Sequence, residues 1–320
     1  MLLRLRAIPG LRISENVPLA AHTRFGIGGP ARWLLDASTD AALAAALEIL
    51  RETGTPYTVI GGGTNLVASD EGFPGTVIRY TNASIEWEIP SDEAAPVRLS
   101  AAAGAVLQDL VDRTISAGLA GLETLTGIPG WVGGAIYGNA GAYGHSIHER
   151  VRSVRILDGP GIRILENAEC EFRYRESVFK RHKDWIVLSA DVKLDRGDAV
   201  KLHATAAAIR TIRDEKYPPA MRCAGSIFKN LMLADLNEAA RAQVPEKVIR
   251  EGKVPSAYFL EQVGAKGIAR GGVKVADYHA NLIYNEAGGT ARELRELIDN
   301  FKQRVRERFG IELEEEVQYI

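Results

Sequence analysis

Apolar positions along the chain alternate between short runs of strand length and longer stretches that repeat every three or four residues. Ala31–Ala37 reads as a strand, and Ser38, Thr39 and Asp40 offer caps for a helix that aligns Leu43, Leu47 and Leu50 on one face. Gly54 and Pro56 stop that helix, and Tyr57–Ile60 forms a short strand entering Gly61-Gly62-Gly63-Thr64-Asn65. A strand over Thr76–Arg79 follows a turn around Gly72–Gly75. Next come a small-residue strand at Val97–Ala103 and, after Gly104, a helix burying Val106, Leu107, Leu110, Val111 and Ile115. Strands are expected at Val151–Leu157 and Trp185–Leu194, and a helix from Ala199 to about Asp214, ahead of Pro218-Pro219. The last helix is marked by a capping box of Thr290 and Glu293, a stripe of Leu294, Leu297, Ile298, Phe301 and Val305, and Gly310 at its end. Ile311–Ile320 reads as a terminal strand. The pattern is that of an α+β or α/β protein without internal repeats.

The most unusual segment is Leu122–Gly141, which runs on to Gly144 and carries seven glycines from Gly127 onward. So many glycines weaken regular structure, and close approach of the main chain to another group is the better explanation. Together with Gly61–Asn65 it supplies many backbone N–H donors, as a diphosphate requires. Neither loop is followed by the Lys-Ser/Thr of a Walker A motif. Gly61-Gly62-Gly63-Thr64-Asn65-Leu66 also lacks the third glycine of the Rossmann fingerprint. A dinucleotide held outside the Rossmann scheme is the expectation.

Length and composition narrow the partners. A chain of 320 residues exceeds one ordinary core and is expected to form two or three lobes. With 46% hydrophobic residues, 25% charged residues and a net charge of −2, it reads as a globular protein without a general phosphate-seeking surface, so no nucleic acid is expected. Its two cysteines, Cys170 and Cys223, form no CxxC or Cys/His cluster. His145 and His148 form an HxxH with no third ligand in view, so no metal is expected, and His22 and His279 receive no assignment. No signal peptide or membrane span is visible, which points to the cytoplasm. Oligomeric state is not legible.

Three residues stand out for chemistry, each beside a plainer explanation. Ser226 lies in a polar cluster with Lys229 and Asn230 without a GxSxG elbow, and by residue type alone a loop-capping serine is the favoured explanation. Arg175, between aromatics and a carboxylate in Phe172–Ser177, suits an anionic ligand or a surface ion pair. Glu316 ends an acidic run that is ordinarily solvated, although on a strand it would share a face with Glu314.

The segments HTRFGIGGPARWLL, IGGGTNLV, LTGIPGWVGGAIYGNAGAYG, YRESVFK, AGSIFKN and FGIELEEEVQYI, in this order, resemble the UDP-N-acetylenolpyruvoylglucosamine reductase (MurB) family from about His22 to Ile320. The resemblance implies an α+β fold: a two-lobed FAD-binding domain of the vanillyl-alcohol-oxidase type over residues 1–198, with lobes of about 1–80 and 81–198. A substrate domain over 199–320 follows, its final strand 311–320 packing back near the active site. It implies FAD as cofactor, NADPH as co-substrate and a nucleotide-sugar enolpyruvyl ether as substrate. By the same resemblance, Gly61, Gly62, Gly63, Thr64, Asn65, Leu66, Gly127, Ile128, Pro129, Gly130, Gly133 and Gly134 wrap the FAD. Arg175, Ser226 and Glu316 are catalytic, Ser226 being the proton donor. Tyr174, Lys216 and Asn230 contact substrate. Leu231 stands where the family usually has proline after the asparagine. The short Arg175-to-Ser226 spacing looks like the type II branch, which lacks a substrate-covering insertion. A binding module and a flavin oxidase of alcohols or phenols are the competing classes; the catalytic trio counts against the first, AGSIFKN and the C-terminal glutamate against the second.

Overall fold

The computed structural model describes residues 1–88, 90, 92 and 95–320. The chain divides into two compact units: Met1–Val17, Ala31–Gly62 and Pro74–Glu215 form the first, and Pro18–Pro30, Gly63–Phe73 and Lys216–Ile320 the second.

Beside the two-stranded ladder of Gly141–Ala142 with His145–Ser146, the first unit contains two larger sheets. In one, the order is Leu11–Pro18, Pro30–Ala37, Phe73–Tyr80, Tyr57–Ile60, with the last two parallel. The helix Asp40–Glu52 starts where Thr39 Oγ1 accepts the Ala42 N–H at 3.1 Å, and it buries Leu43, Leu47 and Leu50 as its periodicity requires. The other sheet is antiparallel, in the order Gly161–Glu166, Val151–Asp158, Ile186–Arg196, Val97–Ala102, Ile85–Glu88. Leu119–Ala120 joins it off the Ile186–Arg196 strand, and one continuous apolar core serves both sheets and the helix Leu107–Ser116.

The second unit is built on a four-stranded antiparallel sheet ordered Cys223–Ser226, His279–Asn285, Val273–Ala276, Ala269–Arg270. The helix Ala291–Phe309 closes its core with Leu294, Ile298, Phe301 and Val305. Its N-terminus carries the expected Thr290/Glu293 box and a second cap: Asp70 accepts the Ala291 and Arg292 N–H groups at 2.7 and 2.9 Å. Gly310 ends it in the left-handed region at φ 64°.

Four expectations change. The division expected at residues 198/199 falls at Glu215/Lys216, because Leu202 of the helix Ala199–Lys216 is buried in the first unit's core. Two early segments belong with the second unit, whose core holds Phe25, Ile27 and Val67. The glycine-rich segment contains a short helix, Val132–Tyr137. Gly133 lets this helix lie against the strand end at Ala103, whose Cβ an added methyl would approach to 2.8 Å. Finally, Ile311–Ile320 is not one strand. Only Gln318–Tyr319 is regular, parallel to Leu66–Val67, while Glu315 bridges antiparallel to Phe228. Two partners of opposite direction break the run.

Candidate active site

Within the first unit the two glycine segments meet. A methyl added at Gly62 would lie 3.1 Å from the Trp131 ring and 3.5 Å from the Gly130 Cα, and one at Gly61 would lie 3.9 Å from the Gly134 nitrogen. Behind the Trp131 ring stands the Arg79 guanidinium, 5.9 Å from its centroid, held by buried Asp36 at 2.6 Å. Burial alone would raise the Asp36 carboxyl, but hydrogen bonds and charge from Arg79 and Arg12 outweigh it and hold the group below its ordinary value.

The expected FAD-wrapping residues do not serve alike. The Gly127 N–H donates to Gln108 Oε1 at 2.7 Å, the Ile128 N–H to Leu125 O at 3.1 Å and the Gly133 N–H to Ala103 O at 2.9 Å. Pro129 has no N–H. Those amides are used inside the unit. Gly61, Gly62, Gly130 and Gly134 lie close together, and at Gly134 a Cβ would meet no protein atom within 4 Å. A side-chain-free surface of clustered glycines suits a diphosphate, whose oxygens need close approach of the main chain. Gly63–Leu66 lie in the second unit. Gly63, at φ 66°, is glycine because a Cβ would collide with the His22 carbonyl.

Arg175 also lies in the first unit, on a tight turn closed by mutual Arg173–Glu176 backbone bonds of 3.0 and 3.1 Å. Its φ is 57°, a conformation that costs a non-glycine residue energy and is kept where the surroundings impose it. The surroundings are specific: Asn139 Nδ2 donates to Arg173 O at 2.8 Å, Ser177 Oγ to Tyr137 O at 2.7 Å and Lys180 Nζ to Arg175 O at 2.6 Å. The turn is thereby anchored to the glycine-rich segment by buried Asn139 and Ser177. The guanidinium donates to Gly141 O at 2.8 Å and lies 5.3 Å from the Tyr174 ring centroid.

Ser226 and Glu316 come together inside the second unit. Ser226 ends the strand Cys223–Ser226, paired with Leu282. The chain that follows runs antiparallel to the C-terminal tail: the Glu316 N–H donates to Ile227 O at 2.7 Å and the Lys229 N–H to Glu314 O at 2.9 Å. Glu316 thus sits beside the residue next to Ser226. Asn65, expected at the FAD, also holds this glutamate, with Nδ2 donating to Glu316 O at 2.9 Å and its carbonyl accepting the Gln318 N–H at 2.9 Å. The neighbouring carboxylates are committed elsewhere: Glu314 to Lys229, Glu315 to Lys302 at 2.8 Å and to the Tyr319 hydroxyl. Leu231, in the position of the family's usual proline, pairs with Val254 in a two-stranded ladder just after half-buried Asn230. Lys216 ends the helix Ala199–Lys216, and its carbonyl accepts from the Tyr278 hydroxyl at 2.8 Å.

Two residues bonded to this serine loop escaped the sequence reading. Asn281 clamps both main-chain groups of Phe228, accepting its N–H at 2.9 Å and donating to its carbonyl at 2.8 Å. An asparagine inside the apolar run Ala280–Ile283 is the signal that marks it, since a buried amide needs partners. His279 Nδ1 in turn accepts the Asn281 N–H at 3.2 Å. Burial, reinforced by the Lys216 charge, lowers the His279 imidazole to about 4, so it stays neutral and able to accept. The second is Tyr217, whose hydroxyl lies 3.2 Å from Ser226 Oγ.

Among the described residues no group of three or more His, Cys, Asp or Glu is arranged to hold a metal ion, and no helix is long and apolar enough to cross a membrane. His145 pairs with Glu149 at 2.9 Å and His148 with Ser146 at 2.7 Å.

Comparison with known proteins identifies the family. A family model described as an FAD binding domain matches residues 32–165, and one described as the C-terminal domain of UDP-N-acetylenolpyruvoylglucosamine reductase matches residues 217–320. The chain is 57% identical over 318 residues to the UDP-N-acetylenolpyruvoylglucosamine reductase of Solibacter usitatus, covering 99% of this chain and 100% of that protein. It is 32% identical over 310 residues to that of Bacillus subtilis, covering 97% and 94%. The crystal structure of the Thermus caldophilus enzyme superimposes with a TM-score of 0.74 at 28% identity, covering 97% of this chain and 99% of that one. Two sheets with an FAD-binding match, a serine loop joined to a C-terminal glutamate and full-length likeness place this chain in the UDP-N-acetylenolpyruvoylglucosamine reductase (MurB) family.

Proposed function

We propose that this chain reduces UDP-N-acetylglucosamine enolpyruvate to UDP-N-acetylmuramate for peptidoglycan synthesis with Arg175, Ser226 and Glu316, using FAD and NADPH. The observation that carries the assignment is the 2.7 Å bond from the Glu316 N–H to Ile227 O, which sets the glutamate beside the serine loop. The diphosphate of FAD rests on Gly61, Gly62, Gly130 and Gly134. When bound, the flavin supplies to C3 of the enolpyruvyl group a hydride that originates from NADPH.

Negative charge then gathers on C2 and the substrate carboxylate. The Arg175 guanidinium stabilises that charge electrostatically; its donation to Gly141 O, on an anchored turn, fixes the group in advance. Ser226 delivers the proton to C2. A hydroxyl is a weak acid, yet an enolate is basic enough to take its proton. Glu316, when protonated, polarises the substrate carboxyl group. Tyr174, Lys216 and Asn230 hold the substrate, with Lys216 on its nucleotide part. The two buried free cysteines suit a cytoplasmic protein, and burial pushes the Cys170 thiol up to about 12, keeping it protonated.

The purified protein is expected to be yellow, to bleach anaerobically with NADPH and to regain colour on addition of the enolpyruvyl substrate, followed by absorbance. A colourless protein that takes up no added FAD overturns the proposal. Recolouring by air or alcohols alone would favour an oxidase.

A further inference from the structure

A serine that gives up its proton becomes an alkoxide, which must be reprotonated before the next turnover. Here the Tyr217 hydroxyl lies 3.2 Å from Ser226 Oγ, within hydrogen-bond distance. Tyr217 is half-buried and so retains access to water. Lys216 Nζ stands 5.0 Å from the Tyr217 ring centroid, a cation–π contact that holds the ring in place. A second hydrogen bond, from the Tyr278 hydroxyl to Lys216 O at 2.8 Å, ties this part of the main chain to the second unit's sheet.

We propose that Tyr217 is a positioning and proton-returning residue for Ser226: its O–H donates to Oγ, leaving the serine proton directed at substrate. The inference rests on Ser226 being the proton donor. As the Ser226 O–H bond breaks, the C2–H bond forms. The Tyr217 O–H bond then breaks as the serine O–H re-forms, and water reprotonates the phenolate. The net change is one solvent proton delivered to C2, alongside the hydride that NADPH supplies. Nothing else is consumed.

The test is a double-mutant cycle on the FAD-loaded protein. Tyr217→Phe removes one oxygen and leaves the ring in place, so thermal unfolding and substrate binding to the oxidised protein, read from the flavin spectrum, should not change. Reoxidation of the reduced flavin by substrate should slow about tenfold, in kcat rather than KM. In the Ser226→Ala background the same change should cost nothing further, because Tyr217 acts only through the serine. An equal loss in both backgrounds, a loss expressed only in KM or substrate affinity, or no loss beside a slow Ser226→Ala variant overturns the relay. A near-normal Ser226→Ala variant instead removes the serine assignment on which it rests.

Discussion

Ser226→Ala is expected to bind FAD and accept electrons from NADPH as the native protein does, while its reduced flavin is reoxidised by substrate at least ~100-fold more slowly. The separation follows from where the residue sits. Ser226 belongs to the second unit and ends a strand paired with Leu282, whereas the glycine cradle proposed for the FAD diphosphate lies in the first. Alanine keeps the strand, and Asn281 still fixes the main chain two residues on through Phe228. The substitution therefore removes a proton and a hydrogen bond to Tyr217 and little else. Stopped-flow absorbance resolves the two half-reactions; a near-normal second half-reaction would take Ser226 out of the acid role.

Gly134→Ala should improve the apoprotein and weaken the cofactor. Gly134 lies in the helix Val132–Tyr137 outside the positive-φ set, so alanine adopts its conformation without strain. An added Cβ meets no protein atom within 4 Å, and alanine exceeds glycine in helix propensity by about 1 kcal/mol. Melting of the FAD-free protein should stay level or rise. The same methyl projects into the surface assigned to the diphosphate, and loss of one charge-assisted hydrogen bond of about 1.5–3 kcal/mol corresponds to roughly 10–100-fold weaker FAD binding. Gly133→Ala is the contrasting control, because its Cβ would stand 2.8 Å from Ala103 Cβ and fold and cofactor should suffer together. Unchanged FAD affinity in Gly134→Ala, measured by flavin fluorescence, would move the diphosphate elsewhere.

Neighbouring glycines thus differ in ways that the sequence pattern does not show. Gly127, Gly133 and Gly134 looked equivalent as a cluster. Arg213 crowds the first, Ala103 the second, and no protein atom approaches a Cβ on the third. Those neighbours come from distant parts of the chain, so the distinction exists only after folding. Asn65 is similar: read as part of a cofactor loop, it is bonded to the main chain of the C-terminal tail. The proposed trio of Arg175, Ser226 and Glu316 was singled out by whole-motif resemblance, not by residue type, since the residues alone allowed a surface ion pair, a loop cap and a solvated acidic run.

By itself, the sequence determined the long elements. Thr39 and Thr290 start helices, Gly310 ends one, and the apolar stripes of Asp40–Glu52 and Ala291–Phe309 face cores, because capping and periodicity act within a few residues. Tertiary structure alone decided the unit boundary at Glu215/Lys216, the split tail, and the meeting of Ile227 with Glu316 and of Tyr217 with Ser226. The tail's only regular strand is two residues long, too short to leave a period in the sequence. Its course is set by main-chain hydrogen bonds and van der Waals exclusion between segments far apart in the chain, and those forces depend on position in space rather than on local residue order.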